Sequence, residues 1–218
     1  MKPRHLFSLT VLALVGTSAR ADVTLASLFR DGAVLQRDTE IPVWGHARPG
    51  ETVAVRLHTD SVSTTASSDG RWLVRLRARA ASFEPSELIV QGDNQLVVRD
   101  VLVGDVWLCG GQSNMLMRVQ GVLDAERETA SAHAPALRVF RVGHQFPATP
   151  APSVEGAWLP TTPENVTAFS ATAYFFARDV QAALNIPIGL ITTSYGNTSI
   201  STWRSPASMA NDTYIADW

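Results

Sequence analysis

The sequence predicts an α/β protein in two parts: an antiparallel β-sandwich over residues 22–103, then a parallel sheet with helices packed on it over residues 104–218. Two observations predict this division. As far as residue 103, short apolar runs that alternate with polar residues are separated by Gly, Asp, Asn and Pro turns, the pattern of a sandwich. Beyond it, apolar runs alternate with segments of helical period, the pattern of strand–helix–strand units. The chain has 218 residues, 45% of them hydrophobic and 17% charged, which is enough to build a real core and excludes a disordered polymer.

The N-terminal 21 residues read as a secretory signal peptide. Lys2 and Arg4 form a positive start, Leu6 to Val15 an apolar centre, and Ala19-Arg20-Ala21 a small-residue cleavage site. The mature chain is expected to begin near Asp22 and to be exported, to the periplasm or outside the cell. The apolar centre is shorter than the roughly 20 residues that span a bilayer, so no stable membrane span is expected.

Strands then follow in order. Ala33-Val34-Leu35-Gln36 and Ile41-Pro42-Val43-Trp44-Gly45 are short apolar pieces. Pro49-Gly50-Glu51 turns into the alternating run 52–57, and Ser68-Asp69-Gly70 turns into the alternating run 71–77. Gly92-Asp93-Asn94 separates two further runs, 87–90 and 95–98. A strand at 103–109 is expected to feed a helix near 115–130, and 137–142 reads as the next strand. After a Pro-rich connection, Ser170 caps a predicted helix that Asn185 ends, and 187–193 is a third strand.

Net charge is −2, from 18 basic and 20 acidic residues that are mixed along the chain. That excludes the basic footprint of a nucleic-acid binder. No Cys/His cluster has metal-ligand spacing, and Gly110-Gly111 lacks the lysine and spacing of a phosphate loop. No metal or organic cofactor is therefore expected. Cys109 is the only cysteine, so no internal disulfide forms, and its place at the end of an apolar run predicts a buried, inert thiol.

The chemistry concentrates in Val106-Trp107-Leu108-Cys109-Gly110-Gly111-Gln112-Ser113-Asn114-Met115. A buried strand, two glycines and a serine at the start of a helix would lift the Ser113 hydroxyl above the sheet edge. A serine nucleophile needs that position, because the tetrahedral oxyanion forms beside backbone N–H donors. Read locally, Ser113 is either such a nucleophile or a helix cap. A second segment, 194–203, follows the third strand and would lie on the same sheet edge, where a glycine N–H can face a cavity.

Gly104 to Met115 resembles the nucleophile block of the sialate O-acetylesterase family, a branch of the SGNH (GDSL-type) hydrolases. The family also carries a W-G-G-T-x-I-x-x-W block; here Gly196, Thr198, Ile200 and Trp203 fit it, and Asn197 stands in place of its second glycine. The resemblance runs from about Leu25 to the C-terminus. It implies a flavodoxin-like, three-layer α/β/α domain of which residues 104–218 are the first part, so the chain reads as a truncated esterase. It implies removal of acetyl groups from a sugar hydroxyl, with Ser113 as nucleophile and Gln112, Asn114, Gly196 and Asn197 as oxyanion or substrate contacts. An O-acetylated sugar or glycan is the expected partner.

Families of this type supply the base from a D-x-x-H segment and a further oxyanion donor from Q-G-E-x-[ND] or G-x-N-D. Neither segment occurs. His5 is in the signal peptide, His46 and His58 are in the β part, and His133 and His144 flank the second strand. The expectation is that this chain holds the nucleophile, lacks the base and is inactive alone. A non-catalytic glycan-binding or adhesion module is the competing expectation; a lipase-like esterase is a third. Trp158 and Trp203 could stack on a sugar ring or pack in the core.

Overall fold

The computed structural model describes residues 22–143, 151 and 153–210. The expected signal peptide, with His5, and His144 lie outside the described residues. The elements are β1 (Thr24–Leu25), β2 (Val34–Gln36), β3 (Ile41–His46), β4 (Thr52–Leu57), β5 (Asp60–Thr65), β6 (Arg71–Leu76), β7 (Ser82–Gln91), β8 (Gln95–Gly111), α1 (Ser113–Leu116), α2 (Ala125–Ala130), β9 (Ala134–Arg141), β10 (Trp158–Thr161), α3 (Pro163–Val166), α4 (Ala171–Leu184), β11 (Ile188–Ser194) and α5 (Pro206–Met209). Among the described residues no helix is long and apolar enough to cross a membrane.

Alternation builds the first part. Along β6, Trp72, Val74 and Leu76 are buried while Arg71, Leu73 and Arg75 point outward. β1, β3 and β6 form a three-stranded sheet, and β7, β4 and β5 extend in that order from the first half of β8. Val43, Trp72 and Leu76 from the small sheet share one core with Val53, Val55, Leu57, Leu88 and Val90 from the larger. β5 was not legible in the sequence. Its only large apolar residue is Val62, because it pairs only with β4 and leaves its other edge open, and a polar edge strand resists pairing with other chains.

β8 is the hinge of the architecture. Its first half pairs antiparallel with β7 through Val103, and its second half, Asp105–Gly111, pairs parallel with β11. The boundary expected at residue 103 therefore lies inside a strand common to both parts. At the handover the chain approaches β11 closely, and a Cβ on Gly104 would overlap the Pro187 carbonyl. Arg37 and Asp105, 2.7 Å apart, tie the end of β2 to the same place.

The second part is a mixed sheet in the order β10-β9-β11-β8, with β8, β9 and β11 parallel. One face is covered by α4 and the turns after α1, which bury Val119, Phe169, Tyr174 and Ala177 against Leu137, Val139, Ile188 and Leu190. The other face buries Phe140 and Trp158 with Ala33 and Val34. The third strand in sequence, β11, lies between the first two, which differs from the flavodoxin order that puts the first strand between them. In that central place Ile188, Gly189 and Leu190 are buried, whereas Trp107 and Leu108 of β8, which pair with β11 alone, are exposed.

α4 matches its sequence signals. The Ser170 hydroxyl accepts from the Ala173 N–H at 3.3 Å, and Asn185 ends the helix in the left-handed region. The single helix expected over 115–130 is instead two short ones. Arg118 is extended, Val119–Gly121 is a 3-10 turn, and Asp124 enters α2 with φ +58°. Val119 is the reason: it is fully buried beneath α3 and α4, and a straight helix would carry it off that core. Cys109 is buried, and burial pushes its thiol up, as expected of an inert cysteine.

Two outcomes are expected. Gly104→Ala should lower stability by about 1–3 kcal/mol through overpacking against the Pro187 backbone, measured by urea unfolding. Asp60 is buried and accepts from the Arg77 backbone N–H at 2.8 Å and its guanidinium at 2.9 Å, which hold its carboxyl below the usual range. Its contribution is therefore complete above the unfolded value of about 4 and is lost as pH falls through the lower folded value. Asp60→Asn should flatten that acid limb of the stability curve while reducing stability at pH 7.

Candidate active site

The register of β8 on β11 pairs Gly111 with Ser194, and the Tyr195 N–H continues the ladder by donating to the Gly111 carbonyl at 3.0 Å. The two segments singled out in the sequence thus leave adjacent parallel strands at their C-terminal ends, the edge where open α/β sheets take ligands. Gly111 turns the chain with φ +149°, in a region that favours glycine, and a Cβ there would stand 3.3 Å from that of Met115. α1 starts at once with Ser113 as its first residue and Gln112 as its cap.

The Ser113 side chain is exposed, and its hydroxyl donates to Gln112 Oε1 at 2.7 Å. The same oxygen accepts from the Ser113 N–H at 3.1 Å. Gln112 Nε2 reaches across to donate to the Thr198 carbonyl at 3.2 Å. One amide side chain therefore holds the serine on one side and the second segment on the other. Gly196 lies against the serine: the position of a Cβ on it would be 3.8 Å from Ser113 Oγ and 3.4 Å from Leu116. Its N–H has no partner among the described residues.

Asn197 has φ +61°. A glycine reaches that region freely, and Asn is the side chain that tolerates it best. The departure from the expected second glycine thus keeps the backbone path. Thr198 secures the loop, accepting from Trp203 Nε1 at 2.9 Å and donating to the Tyr195 carbonyl at 2.9 Å. Asn114 is exposed, and its carbonyl accepts from the Thr172 hydroxyl at 3.0 Å, which fastens α1 to α4.

Two open clefts flank the serine. One, of about 480 Å³, is lined by Gly111, Gln112, Ser113, Asn114 and Thr172 among others. The other, of about 320 Å³, lies between Gln112 and the loop at Thr198, Ile200 and Trp203. Trp203 is exposed at this cleft, whereas Trp158 is buried and donates to the Leu28 carbonyl at 2.8 Å, so it has no face for a sugar.

No described histidine bonds Ser113. His58 pairs with Ser86 at 2.5 Å in the first part, His46 is on β3, and His133 is exposed, near Glu164. No cluster of metal-ligating side chains occurs among the described residues. Sequence reasoning missed Thr172, Arg118 and Arg141. The last two line a small cavity on the other side of α1, and they come from a turn and a strand end with no local signal.

Against known families, residues 103–216 match the model of the carbohydrate esterase, sialic acid-specific acetylesterase family. The match covers more than half of the chain and contains both site segments. The chain belongs to this family. It is 32% identical to mouse sialate O-acetylesterase over 218 aligned positions and 32% identical to the human protein over 213. Those alignments cover 90% and 88% of this chain but 40% of each relative. The chain thus spans about two fifths of the length of the curated relatives it matches. A crystal structure of a carbohydrate acetylesterase from Xanthomonas citri superposes with a TM-score of 0.83 at 40% identity, over 88% of this chain and 44% of that one. The esterase family and the mixed α/β fold that the sequence suggested are both established by these matches.

Gln112→Ala removes both halves of the bridge. It should accelerate amide hydrogen exchange over residues 196–203 at least several-fold while leaving β9 amides unchanged, read by mass spectrometry. The loss in global stability should be about 1 kcal/mol.

Proposed function

We propose that this chain is the nucleophile-bearing part of an exported carbohydrate acetylesterase, in which Ser113 attacks the acetyl carbonyl of an O-acetylated sugar. The observation that carries the reading is the meeting of Ser113 and Gly196 on one rim. The hydroxyl lies in an open cleft beside Gly196, whose N–H has no partner among the described residues. Attack would place the carbonyl oxygen against the N–H groups of Ser113 and Gly196, with Gln112, Asn114 and Asn197 around it. Collapse would break the bond to the sugar oxygen, which leaves as the hydroxyl with the proton given up by Ser113, and water would then attack the acetyl-serine to give acetate and the free serine.

Gln112 Oε1 stands where that oxyanion would form, because it already accepts from Ser113. In this reading it is a placeholder that yields as substrate enters and leaves its amide on Thr198. Catalytic hydrogen bonds commonly assemble only in the complex.

The finer architecture belongs to the same proposal. Residues 22–103 form the sandwich, and residues 104–218 contribute the opening strands of a three-layer SGNH domain. The leader is cleaved near Ala21. The base is not among the residues that meet at Ser113, and the 218-residue polypeptide on its own does not turn over acetyl esters.

Chemical rescue tests this. Imidazole in solution supplies a proton acceptor, so a fluorophosphonate probe should label Ser113 slowly in buffer and at least tenfold faster with imidazole. Ser113→Ala should lose the label. Labelling that ignores imidazole and persists in Ser113→Ala would defeat the nucleophile assignment. Glycan binding by a chain that never labels would instead favour the non-catalytic module.

A further inference from the structure

One described tryptophan belongs neither to a core nor to the Ser113 cleft. Trp72 and Trp158 are buried, Trp107 packs edge-on against Phe176 with ring centres 5.0 Å apart, and Trp203 bonds Thr198 beside the serine. Trp44 points outward from β3, between Val43 and Gly45 that are buried, and is 37% exposed. The buried Phe29 meets it edge-to-face, with ring centres 4.8 Å apart, so the indole is held in place while part of it stays open.

Trp44 stands in a cleft of about 440 Å³ shared by the two parts of the chain. Thr24, Leu25 and His46 line it from β1 and β3, and Ser153 lines it from the segment before β10. Its size is that of a small-molecule site, and such sites favour the seam between domains. The Trp44 indole N–H, the His46 imidazole and the Ser153 hydroxyl have no partner among the described residues. Among the described residues no Asp, Glu, Lys or Arg lines the cleft. Ser153 is two residues before Glu155, whose carbonyl accepts from the Gly143 N–H at 2.8 Å just beyond the end of β9. Two residues span at most about 7 Å, so the cleft adjoins the C-terminal rim of the sheet. β11 alone lies between β9 and β8, which puts the end of β9 about 10 Å from the strand that delivers Ser113.

We infer that this cleft is a second carbohydrate site, separate from the Ser113 cleft, in which Trp44 stacks on a neutral β-linked pyranose. A pyranose with equatorial hydroxyls has a flat patch of axial C–H bonds, which suits an aromatic face. Its rim of hydroxyls suits the three unpartnered polar groups. A charged ligand would lose its hydration here with no opposite charge to replace it. Other flat ligands would also stack on an indole; membership of a carbohydrate esterase family selects the sugar. A sugar chain held this close to the rim keeps its further units at a raised local concentration beside Ser113. The site goes beyond the esterase reading and stands without it.

The test titrates the whole chain with cellotriose and xylotriose, two neutral β-linked oligomers, by calorimetry. At least one should bind. Trp44→Ala should weaken that binding about tenfold or more, and Trp44→Phe, which keeps a ring, no more than about threefold. Melting temperatures check that the variants fold. If Trp44→Ala melts early, His46→Ala and Ser153→Ala decide instead: weaker binding supports the site, and unchanged binding in both overturns it. No binding of either oligomer, or binding that survives Trp44→Ala and is lost in Trp203→Ala, would also overturn it. Fluorophosphonate labelling of Ser113 should be the same in Trp44→Ala as in the native chain. Failure of the sugar titrations therefore leaves the esterase reading intact, and failure of the labelling leaves the second site intact.

Discussion

The site depends on the parallel pairing of β8 with β11. Seven residues of each strand pair in register, from Asp105 with Ile188 to Gly111 with Ser194, and one more hydrogen bond carries the ladder to Tyr195. Segments 82 positions apart in the sequence, around Ser113 and around Tyr195, are thereby delivered to one rim. Because side chains alternate along a strand, a slip of one residue would turn Leu190 and Ile188 out of the core. Their complete burial fixes the register, and the register fixes the site.

Local chemistry then refines what the strands deliver. Gly111 bends the chain so sharply that helix α1 begins within two residues, and Gln112 becomes both cap and bridge. Thr172 fastens α1 to α4 from one side, and the loop at Thr198 holds it from the other. The serine is thus presented from a short, well-anchored turn. The contribution of a helix dipole is small, since α1 is four residues long and the helix the sequence suggested does not continue past Met117.

The legible parts of the sequence were those with strong local signals. The alternation of β4 and β6, the Ser170 cap with the Asn185 stop of α4, and the apolar run of β11 were all readable before any coordinates. The serine and the glycine at 196 were marked by motif. What escaped depended on tertiary context. β5 is polar because it is an edge, the break after Met117 is forced by the burial of Val119, and the place of β11 between β9 and β8 is a pairing of segments distant in the sequence. Arg118 and Arg141 carried no signal, because only the folded chain brings a turn and a strand end to one cavity. The bridging role of Gln112 was hidden for the same reason, since its partner is at Thr198.

The central claim is that the hydroxyl at 113 and the amide at 196 serve one reacting centre. A crystal structure of the chain carrying a phosphonate on Ser113 tests it most directly, since the phosphoryl oxygen mimics the oxyanion. The account predicts that oxygen within about 3 Å of the Ser113 and Gly196 nitrogens, with the Gln112 carbonyl displaced. A phosphoryl oxygen turned to solvent, with Gln112 still on Ser113 and Gly196 out of reach, would contradict it.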